Sequence, residues 1–300
     1  MKRLISKDDG SIRGYDLRKP PVQIGYTLMI LVCIVALVIC VMPIIWVMLA
    51  GFKENKEFVR GVKGLDNHYR PQFLPVSFSL EGYLKTWQEM KFYRFYLNSF
   101  WVVLGSTVSA VVFNGLIAYV ISHLKPWGHK FVYALIMGSL MLPATTSLVP
   151  LFMNITNLGM IGSFLPLWLA IGANAFYVVL FKNFYDSMPS SLIEAARLDG
   201  CNDLSLFYRI VIPLSMPINM VILIYAVNAA WSDFLLPYLV LGNTPLETVM
   251  VRLFTYRTSD RVNDMDVIRA IVFAIIPPIV LFIAFQRKIT QNVISAGIKG

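Results

Sequence analysis

Charged side chains are scarce in this sequence: Asp, Glu, Lys and Arg together make up 14% of its 300 residues, against about 25% in soluble domains. The shortage is greatest from Phe131 to Phe181, 51 consecutive residues without one charge. A membrane-crossing helix needs about 20 apolar residues, so this run alone holds two crossings joined by a turn. With 57% hydrophobic residues and a mean hydropathy of +0.65, the chain reads as an integral membrane protein that crosses more than once.

Other absences narrow the class. There are three cysteines; Cys33 and Cys40 fall in the first apolar run and Cys201 on the inward side, so no disulfide framework is indicated. No Gly-Lys dipeptide occurs, hence no P-loop to cradle a nucleotide. The patterns H-E-x-x-H and G-x-S-x-G are missing too, and His68, His123 and His129 fall in loops or at span ends. An intramembrane hydrolase thus lacks a catalytic constellation, and no cofactor or metal is expected on this chain. A β-barrel would show alternating segments of about ten residues, which these unbroken runs do not. The net charge of +9 sits at span flanks rather than in a stripe, a membrane topology signal and not a nucleic-acid surface.

What is present is an all-α pattern with six predicted transmembrane helices: Val22 to Ala50, Tyr96 to Ile121, Phe131 to Ile155, Phe164 to Phe181, Pro213 to Leu241 and Val267 to Phe285. Lipid offers backbone groups no partners, so each span must be helical. Lys125 and Lys130 lie between the second and third spans, whereas Thr156 to Ser163 carries no charge. Together with Lys2, Arg3, Lys7, Arg13, Arg18 and Lys19 this places both termini in the cytoplasm, in agreement with Arg287 and Lys288 after the last span. The first apolar run is too long for a signal-peptide core and is a retained span. The expected organisation is a cytoplasmic segment 1–21, a first span 22–50, an extracytoplasmic loop 51–95, a core 96–290 containing a cytoplasmic loop 182–212, and a cytoplasmic tail 291–300. In the outer loop Leu80, Leu84, Trp87 and Met90 recur at helical spacing, as in an interfacial amphipathic helix. Pro43, Pro143, Pro150, Pro166, Pro237, Pro277 and Pro278 punctuate the spans and can kink them.

The polar interruption Leu192 to Pro217 is the most informative stretch. Ser191 followed by Glu194 has the spacing of a capping box, opening a short helix through Ala195, Ala196 and Leu198 that Gly200 can end in a left-handed turn. Asn202 can cap a second helix with an apolar stripe of Leu204, Phe207 and Val211. The result is a helix-turn-helix elbow on the cytoplasmic face.

The sequence Glu194-Ala195-Ala196, Asp199-Gly200, Phe207, Ile210, Pro213 and Pro217, preceded by Pro189 and Leu192, resembles the EAA loop of permease subunits of binding-protein-dependent ABC importers. Leu80-Glu81-Gly82-Tyr83, Asn98-Ser99, Trp231-Ser232-Asp233-Phe234, Phe285-Gln286-Arg287 and Gly297-Ile298-Lys299-Gly300 are similar to the carbohydrate-uptake branch, the maltose-type permeases. The resemblance runs from about Val22 to Gly300, with Cys201 where the family commonly has Ala. It implies a coupling helix seated on an ATPase, with contacts from Glu194, Ala195, Ala196, Asp199, Gly200, Leu204, Phe207, Ile210 and, in the tail, Lys299. It also implies a second permease subunit, two ATPase subunits that hold ATP and Mg, an extracytoplasmic solute-binding protein, a sugar or oligosaccharide substrate, and residence in the cell membrane of a prokaryote. Glu194 can alternatively serve only its own helix, and Lys299 can be a solvated chain end.

Charges inside spans are functional candidates by default, and Asp233 and Arg269 are the ones here; an ion pair or snorkelling is the alternative to substrate contact. Asn114, Asn174, Tyr225, Asn228, Trp231 and Asp233 form a candidate substrate pathway, with interhelical hydrogen bonding as the other reading. A self-contained secondary transporter or channel remains the alternative function. It would need coupling-ion residues in the spans, where only Asp233 qualifies, and no paired inverted halves of the usual kind are apparent.

Overall fold

The computed structural model describes residues 20–63, 69–70, 72–258 and 262–297. Lys299, with the rest of the tail from residue 298, His68 and the basic residues ahead of Pro20 lie outside them. The described residues form helices α1 (Pro20–Ala50), α2 (Asn55–Arg60), α3 (Glu81–Met90), α4 (Phe92–Tyr119), α5 (His129–Ser139), α6 (Leu148–Asn157), α7 (Leu165–Gly172), α8 (Ala175–Asp186), α9 (Ser190–Leu198), α10 (Asp203–Leu206), α11 (Ile212–Leu214), α12 (Met216–Ser232), α13 (Leu235–Leu241), α14 (Val249–Arg257) and α15 (Asp264–Gly297). Wide π-helical turns, Val120–Leu124 and Phe207–Val211, extend α4 and α10. A two-residue antiparallel ladder pairs Val62 with Arg70 and Lys63 with Tyr69.

The first, second and sixth predicted spans correspond to single long apolar helices, Val22–Ala50, Phe92–Leu124 and Asp264–Phe285. The fourth and fifth correspond to bent pairs: α7 with α8 at 45°, and Asp203–Leu214 with Met216–Ser232 at 84°. The third differs. Instead of one helix over Phe131 to Ile155, α5 stops at Ser139 and α6 starts at Leu148, with a 3-10 turn over Ala144–Ser147 between them. Pro143 gives the reason, since the residue before a proline is pushed out of the helical region and proline itself cannot donate to the preceding turn. Proline acts likewise in the fifth span. Pro213 and Pro217 each sit in the first turn of a helix, α11 and α12, so the chain bends at Ser215 and the long helix begins at Met216, not at Pro213.

The chain divides into two compact units, 1–83 with 264–269, and 84–263 with 270–300. In the first, α1 is apolar on all sides, with an exposed face along most of its length. The chain leaving its C-terminal end is held by Arg269, whose guanidinium donates to Gly51 O and Lys53 O, both at 2.9 Å, and pairs with Asp266 at 3.0 Å. Tyr83 Oη donates to Met48 O at 2.9 Å, serving one of the carbonyls that a helix end leaves unpaired. Two glycines make room for this clamp. A Cβ on Gly82 would meet the Arg269 guanidinium, and one on Gly51 the Tyr83 ring. Burial pushes the Tyr83 phenol above its ordinary range, while the Arg269 charge pulls the other way.

In the second unit α4 is central, packed against α7, α8 and α12. Between the aromatic residues at its two ends, Phe92, Phe95 and Tyr119, its buried face is rich in small residues, Ser99, Ser106, Ser109, Ala110, Gly115 and Ala118, which let helices approach closely in lipid. Gly105 shows the limit of that approach: a Cβ there would collide with the Trp168 indole, whose Nε1 donates to Trp101 O at 3.2 Å. The amphipathic helix α3 is turned away from the orientation its apolar spacing suggested. Tyr83, Thr86 and Met90 are buried, Trp87 is half-buried, and Leu80 and Leu84 are exposed. Trp87 stacks on Phe92 at 5.4 Å and meets the Phe273 ring at 5.1 Å, so aromatic packing sets the inward face.

Candidate functional site at the helical elbow

The elbow forms at the predicted position with one local change. Helix α9 begins at Ser190 behind Pro189, which occupies the capping position without a side-chain cap, so Ser191 and Glu194 lie inside the helix and no capping box forms. Proline's fixed φ of −60° already delivers the chain to the helix. The C-terminal end follows expectation. Gly200 has φ +83°, its N–H donates to Arg197 O at 3.0 Å, and the Cys201 N–H reaches Ala196 O at 3.1 Å. These are the paired bonds of a Schellman stop, in which the left-handed residue costs glycine little. Asn202 then caps α10 by accepting the Ser205 N–H at 2.8 Å. Arg197 and Asp203 bridge the two helices at 3.0 Å.

The inward face is Leu206, Phe207 and Val211, all fully buried, with Ile210 half-buried. Phe207 packs on Tyr119 at 5.4 Å between ring centres, tying the elbow to α4. Phe207 and Val211 are buried as expected, whereas Leu204 is 58% exposed and Leu206 takes its place on this face. The outward face combines exposed Glu194, Ala195 and Asp199 with Leu198, 89% exposed, and Leu204. Ala196 is buried. The elbow thus leaves an acidic side chain, Glu194, and two leucines bare on a well-braced element.

The six predicted pathway residues separate into two groups. Asn114 is fully buried; its Nδ2 donates to Ala110 O at 2.8 Å and Ile171 O at 3.0 Å, and its Oδ1 accepts the Asn174 N–H at 2.8 Å. Asn174 Oδ1 in turn caps α8 through the Tyr177 N–H at 3.2 Å. These amides staple the break between α7 and α8. Trp231 is buried and donates from Nε1 to Ala274 O at 3.2 Å. Asp233 ends α12 and accepts the Leu235 N–H at 3.1 Å, which turns the chain into α13. In contrast, Tyr225 and Asn228 are exposed on one face of α12, and the Tyr225 ring meets exposed Phe176 edge-on at 5.9 Å. An exposed asparagine on a spanning helix is costly against lipid, which directs this face toward water or another chain.

Sequence reasoning gave no structural role to Asn98 and Ser99. Asn98 Nδ2 donates to Pro245 O at 3.0 Å and Glu247 O at 2.9 Å, and Ser99 Oγ accepts the Val249 N–H at 2.9 Å. They pin the turn before α14 from almost 150 residues away, a pairing with no local signature.

Bent and broken apolar helices with a projecting, braced elbow define a polytopic helical membrane subunit. Residues 110–295 match the family described as binding-protein-dependent transport system inner membrane component, and the chain belongs to that family. The diacetylchitobiose uptake system permease protein of Streptomyces coelicolor is 27% identical over 261 residues, 85% of this chain and 83% of that protein. The polygalacturonan/rhamnogalacturonan transport system permease protein of Bacillus subtilis is 29% identical over 279 residues, 87% of this chain and 93% of its own length. In fold, the chain resembles one from the crystal structure of a bacterial ABC transporter involved in the import of the acidic polysaccharide alginate. The TM-score is 0.78 at 21% identity, covering 90% of this chain and 98% of the other.

Proposed function

We propose that this chain is one of two permease subunits of an ATP-driven importer for a sugar or oligosaccharide, delivered by an extracytoplasmic solute-binding protein. It crosses a prokaryotic cell membrane six times with both termini in the cytoplasm; α5 and α6 together make the third crossing. The observation that carries the reading is the elbow, whose buried Leu206, Phe207 and Val211 fix it to the helix core while Glu194, Leu198 and Leu204 point outward. Such an element transmits force, because a partner that moves the exposed face must move the helices tied to the buried one.

In this reading Glu194, Ala195, Asp199 and Leu204 meet an ATPase subunit. Gly200 shapes the turn, Ala196, Phe207 and Ile210 connect it to the spans, and Lys299 adds a contact from the tail. Catalysis is left to two separate ATPase subunits that hold ATP and Mg, and this chain binds no cofactor. Tyr225 and Asn228, with Phe176, line the solute path, where aromatic faces and amides suit sugar rings and hydroxyls. The carbohydrate class is supported by the relatives, named as permeases for diacetylchitobiose, for polygalacturonan/rhamnogalacturonan and for melibiose/raffinose/stachyose. The test is reconstitution with its permease and ATPase partners, followed by ATP hydrolysis against a panel of saccharide-loaded binding proteins. Stimulation by one loaded binding protein is the expected result. Hydrolysis indifferent to every loaded protein, or uptake by this chain alone driven by an ion gradient, would overturn the proposal.

A further inference from the structure

Beside the elbow, the end of α4, the start of α5 and the end of α8 enclose a cleft of about 440 Å³. Its walls carry Lys125, Lys130, Lys182 and His129, with Asp186 as the acidic side chain. Asp186 is already engaged: Lys182 Nζ lies 2.5 Å from Oδ2, and Ser122 Oγ donates to Oδ1. Lys125 and Lys130 form no ion pair among the described residues, so the cleft keeps an excess of positive charge. His129 on the same wall is held in place by its Nδ1, which donates to Pro126 O at 2.9 Å.

The rim of the cleft is amphipathic. Trp127, between the two free lysines in sequence, is fully exposed, and Phe131 and Leu135 on α5 are 68% and 59% exposed. Indoles and lysines collect at the headgroup layer of a membrane, and the apolar face of α5 continues from there. We infer that the cleft binds the phosphate group of an anionic phospholipid, with the acyl chains along α5. Charge alone would suit free phosphate, but a bare indole and an apolar helix face beside the lysines suit a ligand that is anionic at one end and greasy at the other. The inference rests on the inward orientation of the elbow proposed above, because the anionic leaflet is the cytoplasmic one.

The assembled transporter is purified in detergent with phosphatidylglycerol or phosphatidylcholine, and retained lipid is counted by native mass spectrometry. Phosphatidylglycerol should be retained preferentially, and Lys125→Gln with Lys130→Gln should lower its retention roughly tenfold while leaving phosphatidylcholine unchanged. Equal retention of the two lipids, or no effect of the double variant, overturns the inference. Displacement of phosphatidylglycerol by millimolar inorganic phosphate would assign the cleft to the free anion. Loss of the ATPase subunits from the variant at unchanged lipid retention would assign it to a protein contact. Should the double variant unfold, Lys130→Gln alone, on the exposed first turn of α5, carries the same comparison. Retention in detergent is read independently of leaflet. Labelling of Lys125→Cys by an impermeant maleimide on intact cells would instead overturn the orientation, so the two ideas fail separately.

Discussion

The side-chain oxygen of Asn114 accepts the backbone N–H of Asn174 at 2.8 Å, joining the middle of α4 to the point where the next spanning segment breaks. Every polar atom of Asn114 is used, because its Nδ2 holds two carbonyls, one of them Ile171 O at the end of α7. In lipid such a break exposes backbone groups that have no water to turn to. One buried amide serves both sides of this 45° bend.

Asn114→Ala leaves the Asn174 N–H and the Ile171 carbonyl without this partner, at a cost of about 1–3 kcal/mol for each buried group. The variant is expected to unfold at lower temperature in detergent, measured by a thermal-shift assay. Asn114→Asp should be worse, since it still accepts from Asn174 but turns acceptor oxygens toward Ala110 O and Ile171 O. An unchanged midpoint in both would refute the staple.

Gly200 separates conformation from contact. A Cβ there would meet nothing within 4 Å, yet the residue sits at φ +83°. Gly200→Val should therefore weaken the elbow by about 1–2 kcal/mol through backbone strain alone, reducing ATPase association and uptake, whereas Gly200→Asn should retain most of both. Equal loss with Val and Asn would show that the space beside Gly200 matters, not its backbone.

Glu194 is exposed and forms no hydrogen bond or ion pair among the described residues. Glu194→Lys should accordingly leave insertion and thermal stability unchanged while abolishing uptake and weakening co-purification of the ATPase. A fall in thermal stability with intact co-purification would point to a role in its own helix.

The Arg269 side chain is 11% exposed and that of Asp266 8%, so removing the guanidinium takes a counter-charge from a carboxylate in a poorly solvated place. Arg269→Gln should lower stability by about 3–5 kcal/mol and open the segment after α1 to protease, read by limited digestion. Gly82→Leu should reproduce the effect by displacing the guanidinium, and protection equal to wild type would count against the clamp.

The sequence determined the features that depend on neighbours along the chain. Helical spans follow from apolar run length, and the elbow from Gly200 and Asn202. The capping box failed even at this range because Pro189 starts the helix earlier than Ser191 would. Only the tertiary structure decided what distant residues do. Asn114, Trp231 and Asp233 looked like pathway residues because a polar group in an apolar run signals function, but each is spent on a backbone group: the first on a helix break, the second on a carbonyl 43 residues away and the third on a turn. Tyr225 and Asn228 carry the same signal in sequence and stay exposed. Polarity within a span is written locally, whereas the partner that satisfies it is set by which helices pack together, and that is a property of the fold.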